Sequence, residues 1–221
     1  MGKDLPRCFA GDWVIKAPPF RFLDAAQIFP LVDGELELVE PAPQHIADML
    51  AACQHPLTKH EMPQQANTTQ ESLDALLKRN PRGHVPEDAA HHVAPGYTFW
   101  MRLKDGAGGA SPPAPVRMAG SIGLRIANTT DIEFYLGHIG YHVLPPARGH
   151  HYAARACRLL MPLARAHGQA TLWITCNPDN LASRRTCEAL GAELIETIAV
   201  PRGHPLYEQG DRYKCRYRIT L

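Results

Sequence analysis

Residues Gly137–Gly168 read GHIGYHVLPPARGHHYAARACRLLMPLARAHG, and three kinds of sequence follow one another there. Ile139-Gly140-Tyr141-His142-Val143-Leu144 alternates as a short strand does. Pro145-Pro146 ends it, because proline donates nothing to a ladder. Ala153, Ala156, Leu159, Leu160, Leu163 and Ala164 then recur at helical spacing, with Arg155, Arg158 and Arg165 on other faces. A strand turning tightly into a helix aims unpaired N–H groups, and the positive end of the helix dipole, at whatever lies above the turn. Arg148, just before the helix, adds a forked donor suited to phosphate. The stretch predicts an anion site, with a diphosphate as its natural occupant.

Val143-Leu144-Pro145-Pro146-Ala147-Arg148-Gly149-His150-His151-Tyr152-Ala153 resembles the acetyl-CoA loop of the GNAT acyltransferases. In that loop a hydrophobic strand end and a proline lead through Arg/Gln-x-x-Gly-x-Gly/Ala into a helix. Arg148 matches the first position and Ala153 the last, while His151 stands where the middle glycine is usual. A neutral imidazole there could still donate to phosphate. A second stretch, Asn177 to Gly191, resembles the family's Asn-x-x-Ser/Ala…Glu-x-x-Gly motif, with Asn180 and Ser183 on matching positions. The resemblance implies acetyl-CoA as co-substrate, held by Val143, Leu144, Arg148, Gly149, His150, His151, Tyr152, Ala153, Asn180 and Ser183, with no metal. It also implies an α/β (α+β) fold of GNAT type, a mixed central sheet of about seven strands with helices on both faces. Two parallel strands of that sheet splay apart, and the pantetheine arm lies between them.

The 221 residues suit one large domain or a domain with an extension. With 23 basic and 22 acidic residues the net charge is +1, which gives no bulk case for nucleic acid or an anionic membrane. No run reaches the roughly eighteen apolar residues of a membrane span. Met1 to Pro6 leads into no apolar signal core, which argues against secretion. Cys8, Cys53, Cys157, Cys176, Cys187 and Cys215 are widely spaced and mostly within apolar runs. They read as buried free thiols in a reducing cytoplasm.

Along the chain, residues 1–34 read as an ordered extension packed on the body: Trp13-Val14-Ile15, Pro18-Pro19, Phe20, Phe22, Leu23, Ile28, Phe29 and Leu31, then an Asp33-Gly34 turn. Residues 35–221 form the acetyltransferase domain. Leu36 and Leu38 alternate with glutamates in a first strand, and Pro43 begins a helix to about Cys53. Gln54–Ala66 reads as irregular. Thr68 or Thr69 caps a helix ending at Lys78-Arg79. Residues 81–95 read as a loop, 97–103 and 118–126 as strands, and 105–115 as a long connection. Ile132–Leu136 extends the following strand or precedes it by a bulge. A strand at 171–176, a helix capped by Asn180, and strands at 192–200 and 214–221 complete the order. The strand–helix–strand from Ile139 to Cys176 should be a right-handed parallel crossover. Alternation puts Lys214, Arg216 and Arg218 on one face and Cys215 and Tyr217 on the other, as in a half-exposed edge or terminal strand.

Acyl transfer to an amine needs a deprotonated amine, a polarised thioester carbonyl and a proton for the departing thiolate. Many family members carry a tyrosine acid where this chain has Cys187, and some a glutamate base where it has Thr175. Cys187 could protonate a thiolate, with core packing as its other role. His138 is the candidate base because imidazole titrates near neutrality, against the alternative of a satisfied sheet histidine. Glu133 lies just before it, and Tyr141 is a candidate acid or substrate contact. A bulge near Val143–Leu144 would leave a backbone N–H as oxyanion donor. His55, His60, His84, His91 and His92 lack ligand spacing, so no metal is expected.

The expectation is a cytoplasmic N-acetyltransferase, monomer or homodimer, acylating a primary amine by direct attack in a ternary complex. The acceptor is a small molecule or a peptide amine, entering over the first two helices, the Gln54–Ala66 loop and the last hairpin. The competing readings are a silent acyl-CoA-binding or docking module of the same fold and a peptide N-terminal acetyltransferase.

Overall fold

The computed structural model describes residues 20–25, 29–88, 91, 93–104 and 116–221. Cys8, Trp13-Val14-Ile15, Pro18-Pro19, Ile28, His92 and the 105–115 connection lie outside the described residues.

The strands are β1 (Val32–Asp33), β2 (Leu36–Val39), β3 (His84–Val85), β4 (Gly96–Leu103), β5 (Met118–Arg125), β6 (Ile139–Val143), β7 (Thr171–Cys176), β8 (Glu193–Ala199) and β9 (Tyr213–Thr220). Seven of these have four or more residues, matching the expected number. The helices are α1 (Ile46–Cys53), α2 (Pro56–Glu61), α3 (Pro63–Ala66), α4 (Gln70–Arg79), α5 (Tyr152–Ala166), α6 (Leu181–Ala189) and α7 (Pro205–Glu208). One sheet runs β1-β2-β4-β5-β6, with β3 also on β4, and a second runs β7-β9-β8; every pairing is antiparallel.

Aromatic and β-branched content makes β4 the centre of the first sheet, with Tyr97, Phe99, Trp100 and Met101 buried. Helix α5 lays Ala156, Cys157, Leu160, Leu163 and Ala164 on that core, and its alanines permit close approach. Phe22 and Leu23 dock nearby. Phe22 stacks on His84 at 4.2 Å, and the Leu23 N–H donates to the Tyr97 hydroxyl at 2.7 Å.

Residues 81–95, read as a loop, include β3 paired to β4, and three other segments also differ from their sequence reading. Gln54–Ala66 contains two short helices, because Pro56 and Pro63 each supply a preset first helical residue. Ile132–Leu136 is a π-helical turn rather than strand, closed by Gly137 N–H to Ile132 O at 2.7 Å. Strand β9 lies in the middle of its sheet, not at an edge. Two of its cations are buried and paired, Lys214 with Asp211 at 2.6 Å and Arg216 with Glu196, the Arg216 guanidinium lying 4.2 Å from the Trp173 ring, while Arg218 is exposed and pairs with Glu193 at 2.6 Å.

Hydrogen bonds link the segment before β6 to β7. His138 N–H donates to Trp173 O at 2.7 Å, and Trp173 N–H donates to His138 Nδ1 at 2.9 Å. The approach needs Gly137, whose φ is +71° and whose hypothetical Cβ would sit 3.0 Å from Thr175 N and Trp173 O. Beyond this contact no ladder joins β6 to β7 among the described residues.

Candidate active site: the cleft between the sheets

Strand β6 pairs with β5 along one edge. Arg125 N–H donates to His138 O and Leu144 N–H to Ala119 O, both at 2.8 Å. In an antiparallel ladder this turns the N–H and C=O of Ile139, Tyr141 and Val143 the other way, into the cleft. The expected bulge at Val143–Leu144 is therefore corrected. Leu144 N–H is paired, the β4–β5 irregularity lies at Met101/Arg102, and the outward donors belong to Tyr141 and Val143.

After Leu144, Pro145–Ala147 form one 3₁₀ turn, and Gly149 adopts φ +92°. His151 caps α5 at φ +57°, ψ +23°, with no side-chain cap bond. That left-handed conformation costs an L-residue about 1–2 kcal/mol, the physical reason glycine suits the position. The first helical bond is Arg155 N–H to His151 O at 3.0 Å. The N–H groups of Tyr152, Ala153 and Ala154 thus have no partner within the helix. His150 stacks on Tyr152 at 5.3 Å. Arg148 reaches back over the turn: Nε donates to Val143 O at 3.2 Å, Nη1 to Glu61 Oε2 at 2.6 Å and Nη2 to Met62 Sδ at 3.1 Å.

Below this turn lies a cavity of about 220 Å³, walled by Ile139–Tyr141 of β6, Ile174–Cys176 of β7, and Asn180 and Ser183 of α6. Asn180 Oδ1 accepts from Ser183 N–H at 3.0 Å, fixing the first turn of α6. The Tyr141 hydroxyl sits 2.9 Å from Ser183 Oγ. Burial, reinforced by the nearby Cys187 thiol, holds the Tyr141 phenol protonated well beyond its usual range. Tyr141, Asn180 and Ser183 are thus brought together from distant parts of the sequence.

Other expected residues lie apart. Cys187 is fully buried beside Tyr141, and burial pushes its thiol up to about 12; it does not line the cavity. Glu133 sits in the π-helical turn, where its carbonyl accepts from Arg216 Nε at 2.9 Å. His138 is fully buried between the sheets. Nδ1 accepts from Trp173 N–H, so Nε2 carries the proton and donates to Asn128 Oδ1 at 3.1 Å. Desolvation lowers its pKa to about 4. Neither ring nitrogen is open to a substrate proton.

Sequence reasoning passed over Arg125, Cys176 and Asn177, which also line the cavity. Arg125 had a signal: alternation through Ile122, Leu124 and Ile126 puts it on the opposite face, with Gly123. The described cysteines are free and buried. Among the described residues no group of His, Cys, Asp and Glu is placed to hold a metal ion. No helix among them is long and apolar enough to cross a membrane.

Several solved structures share this fold. Over 86% of this chain and 94% of its own, the microcin C7 self-immunity acetyltransferase MccE, in complex with acetyl-CoA and AMP, superposes with a TM-score of 0.57 at 14% identity. The ribosomal L7/L12 alpha-N-protein acetyltransferase RimL, in complex with coenzyme A, gives 0.55 at 15% identity over 87% and 97% of the two chains. A GNAT-family acetyltransferase from Bacillus anthracis gives 0.57 at 14% identity over 86% and 97%. No curated protein matches the chain in sequence. Residues 35–193 match the family described as Acetyltransferase (GNAT) domain, which takes in the β2-to-α6 framework and every residue of the cleft named above except those of β9. The chain belongs to the GNAT acetyltransferase family and is an acyltransferase.

Proposed function

We propose that the protein moves the acetyl group of acetyl-CoA to the primary amine of a small molecule, by direct attack in a ternary complex. One observation carries this reading. A helix N-terminus with three unpartnered N–H groups, an open strand edge, and a cavity bearing paired hydroxyls follow one another along a single cleft. Their order matches the order of diphosphate, pantetheine and thioester in acetyl-CoA.

In this reading the diphosphate lies on Gly149–Ala153, with Arg148 exchanging Glu61 for phosphate. The pantetheine amides bond to the outward N–H and C=O groups of Tyr141 and Val143. The thioester carbonyl is polarised by one of those N–H groups. The amine attacks the carbonyl carbon, the tetrahedral intermediate collapses, and the carbon–sulfur bond breaks. The leaving thiolate takes a proton relayed through the paired Tyr141 and Ser183 hydroxyls, and the proton released by the amine returns to that pair through solvent, so neither hydroxyl is left ionised. No carboxylate or histidine lines the cavity, so the surroundings favour the uncharged amine and water removes its proton. His138 acts as a positioning residue, fixing the vertex from which β6 and β7 diverge.

The test is thiol release from acetyl-CoA across a panel of small amines, with Tyr141→Phe and Ser183→Ala alongside. Both variants should bind acetyl-CoA as the wild type does and lose about 10²-fold or more in kcat. Binding without turnover on any amine would favour a silent acyl-CoA-binding module.

A further inference from the structure

A second cavity, of about 390 Å³, is lined by residues of β4, β5 and β6. It meets the first at Arg125, Leu136 and Gly140. Its floor is a row in register across three strands, Thr98, Gly123 and Gly140. The two glycines leave empty the volume that side chains would fill. The guanidinium lies over this floor: a Cβ on Gly140 would stand 3.6 Å from Arg125 Nη1 and 3.9 Å from Nη2.

The arginine is anchored but not neutralised. Nη1 donates to Gly137 O at 3.1 Å and to Leu136 O at 3.4 Å. The ion pairs among the described residues do not include Arg125. Asp131 is the acidic group that acts on it, and that carboxylate bonds His204 Nε2 at 2.7 Å. The neighbouring cation on the first cavity, Lys214, is taken by Asp211 and Asn177. Other arginines on these sheets do face acids, Arg102 with Glu37 and Arg216 with Glu196. Burying a cation against carbonyls alone is costly, and desolvation indeed depresses its pKa. A forked donor placed over an empty floor, where the two cavities join, suits an oxyanion brought by a ligand.

We propose that Arg125 binds the carboxylate of the acceptor, making this enzyme selective for small amines that carry a carboxylate group. The second cavity is then the acceptor site, and the amine points past Gly140 toward the thioester. The inference rests on the acetyltransferase reading above.

The experiment compares kcat/KM for matched pairs: glycine, β-alanine and 4-aminobutanoate against their amides, with O-phosphoethanolamine against ethanolamine. Acetyl-CoA binding to each protein, measured by calorimetry, is the control for folding. The wild type should prefer at least one carboxylate by about 10- to 100-fold, carried mainly by KM. Arg125→Gln should bind acetyl-CoA and lose that preference, and Arg125→Lys should keep part of it. Equal rates within every pair, a preference that survives in Arg125→Gln, or a preference for the phosphate alone would overturn the carboxylate assignment. So would a protein that binds acetyl-CoA but neither acetylates nor binds any carboxylate-bearing member, while the acetyltransferase reading stood. Absence of acetyl-CoA binding to the folded wild type would overturn that reading instead.

Discussion

Replacing His138 with glutamine should flatten the acid side of the stability profile. In the native state the imidazole is buried, neutral and bonded at both nitrogens, with a pKa of about 4. In the unfolded chain it titrates near 6.5. Between these values the unfolded state binds more protons, so stability rises with pH there and falls as acid is added. The part due to His138 is fully present above about pH 6.5 and is spent by about pH 4. For a shift of this size, linkage gives a loss of about 2 kcal/mol between about pH 7 and pH 5, and about 3 kcal/mol by pH 4. His45, His84, His142 and His167 are also depressed by burial and add slope of the same sign, so the difference between wild type and variant is the quantity to measure. At neutral pH the variant should be less stable by about 1–3 kcal/mol, since the Trp173 N–H loses a well-placed acceptor. Urea unfolding of both proteins at several pH values gives each term. If the two stability curves run parallel between pH 7 and pH 4, His138 is not a neutral buried link between the sheets, and the description of the vertex fails.

Two further outcomes follow from the cofactor loop. His151→Gly removes a left-handed L-residue costing about 1–2 kcal/mol and returns part of that as unfolded-state entropy, so it should raise stability by about 0.5–1 kcal/mol without weakening acetyl-CoA binding. A drop in affinity of tenfold or more would mean that the imidazole itself contacts phosphate. Glu61→Gln frees Arg148 from an exposed ion pair and removes a negative charge beside the anion site, so acetyl-CoA should bind about two- to fivefold tighter by calorimetry. Weaker binding would show that the Glu61 contact orders the arginine rather than competing for it.

Features set by neighbours in sequence were legible before the structure. Thr69 caps α4 by accepting from Ser72 N–H at 3.2 Å, and Asn180 caps α6, as side chains at those spacings should. The turn from Val143 to Ala153 and the strands β4 to β7 were equally plain from proline placement and alternation. What escaped depends on partners far along the chain. His138 read equally as a base or as a satisfied sheet histidine, because Trp173 and Asn128, which occupy its nitrogens, are 35 and 10 residues away. The burial of Arg216 was not legible because its partners, Glu196 and the Trp173 ring, arrive from β8 and β7. Residues 132–136 are apolar enough for a strand, and the turn instead follows from Thr129, whose carbonyl and hydroxyl take the N–H groups of Glu133 and Ile132. Tyr141 and Ser183 were each singled out but not as partners, since only the fold brings them to within 2.9 Å.

Calorimetric titration of acetyl-CoA into the wild type and Arg148→Glu tests the cleft most directly. Binding in about the micromolar range by the wild type, weakened tenfold or more by the charge reversal, is the predicted result. No binding to the folded wild type, or equal affinity in both proteins, would contradict the assignment of the Val143–Ala153 turn as the acetyl-CoA site.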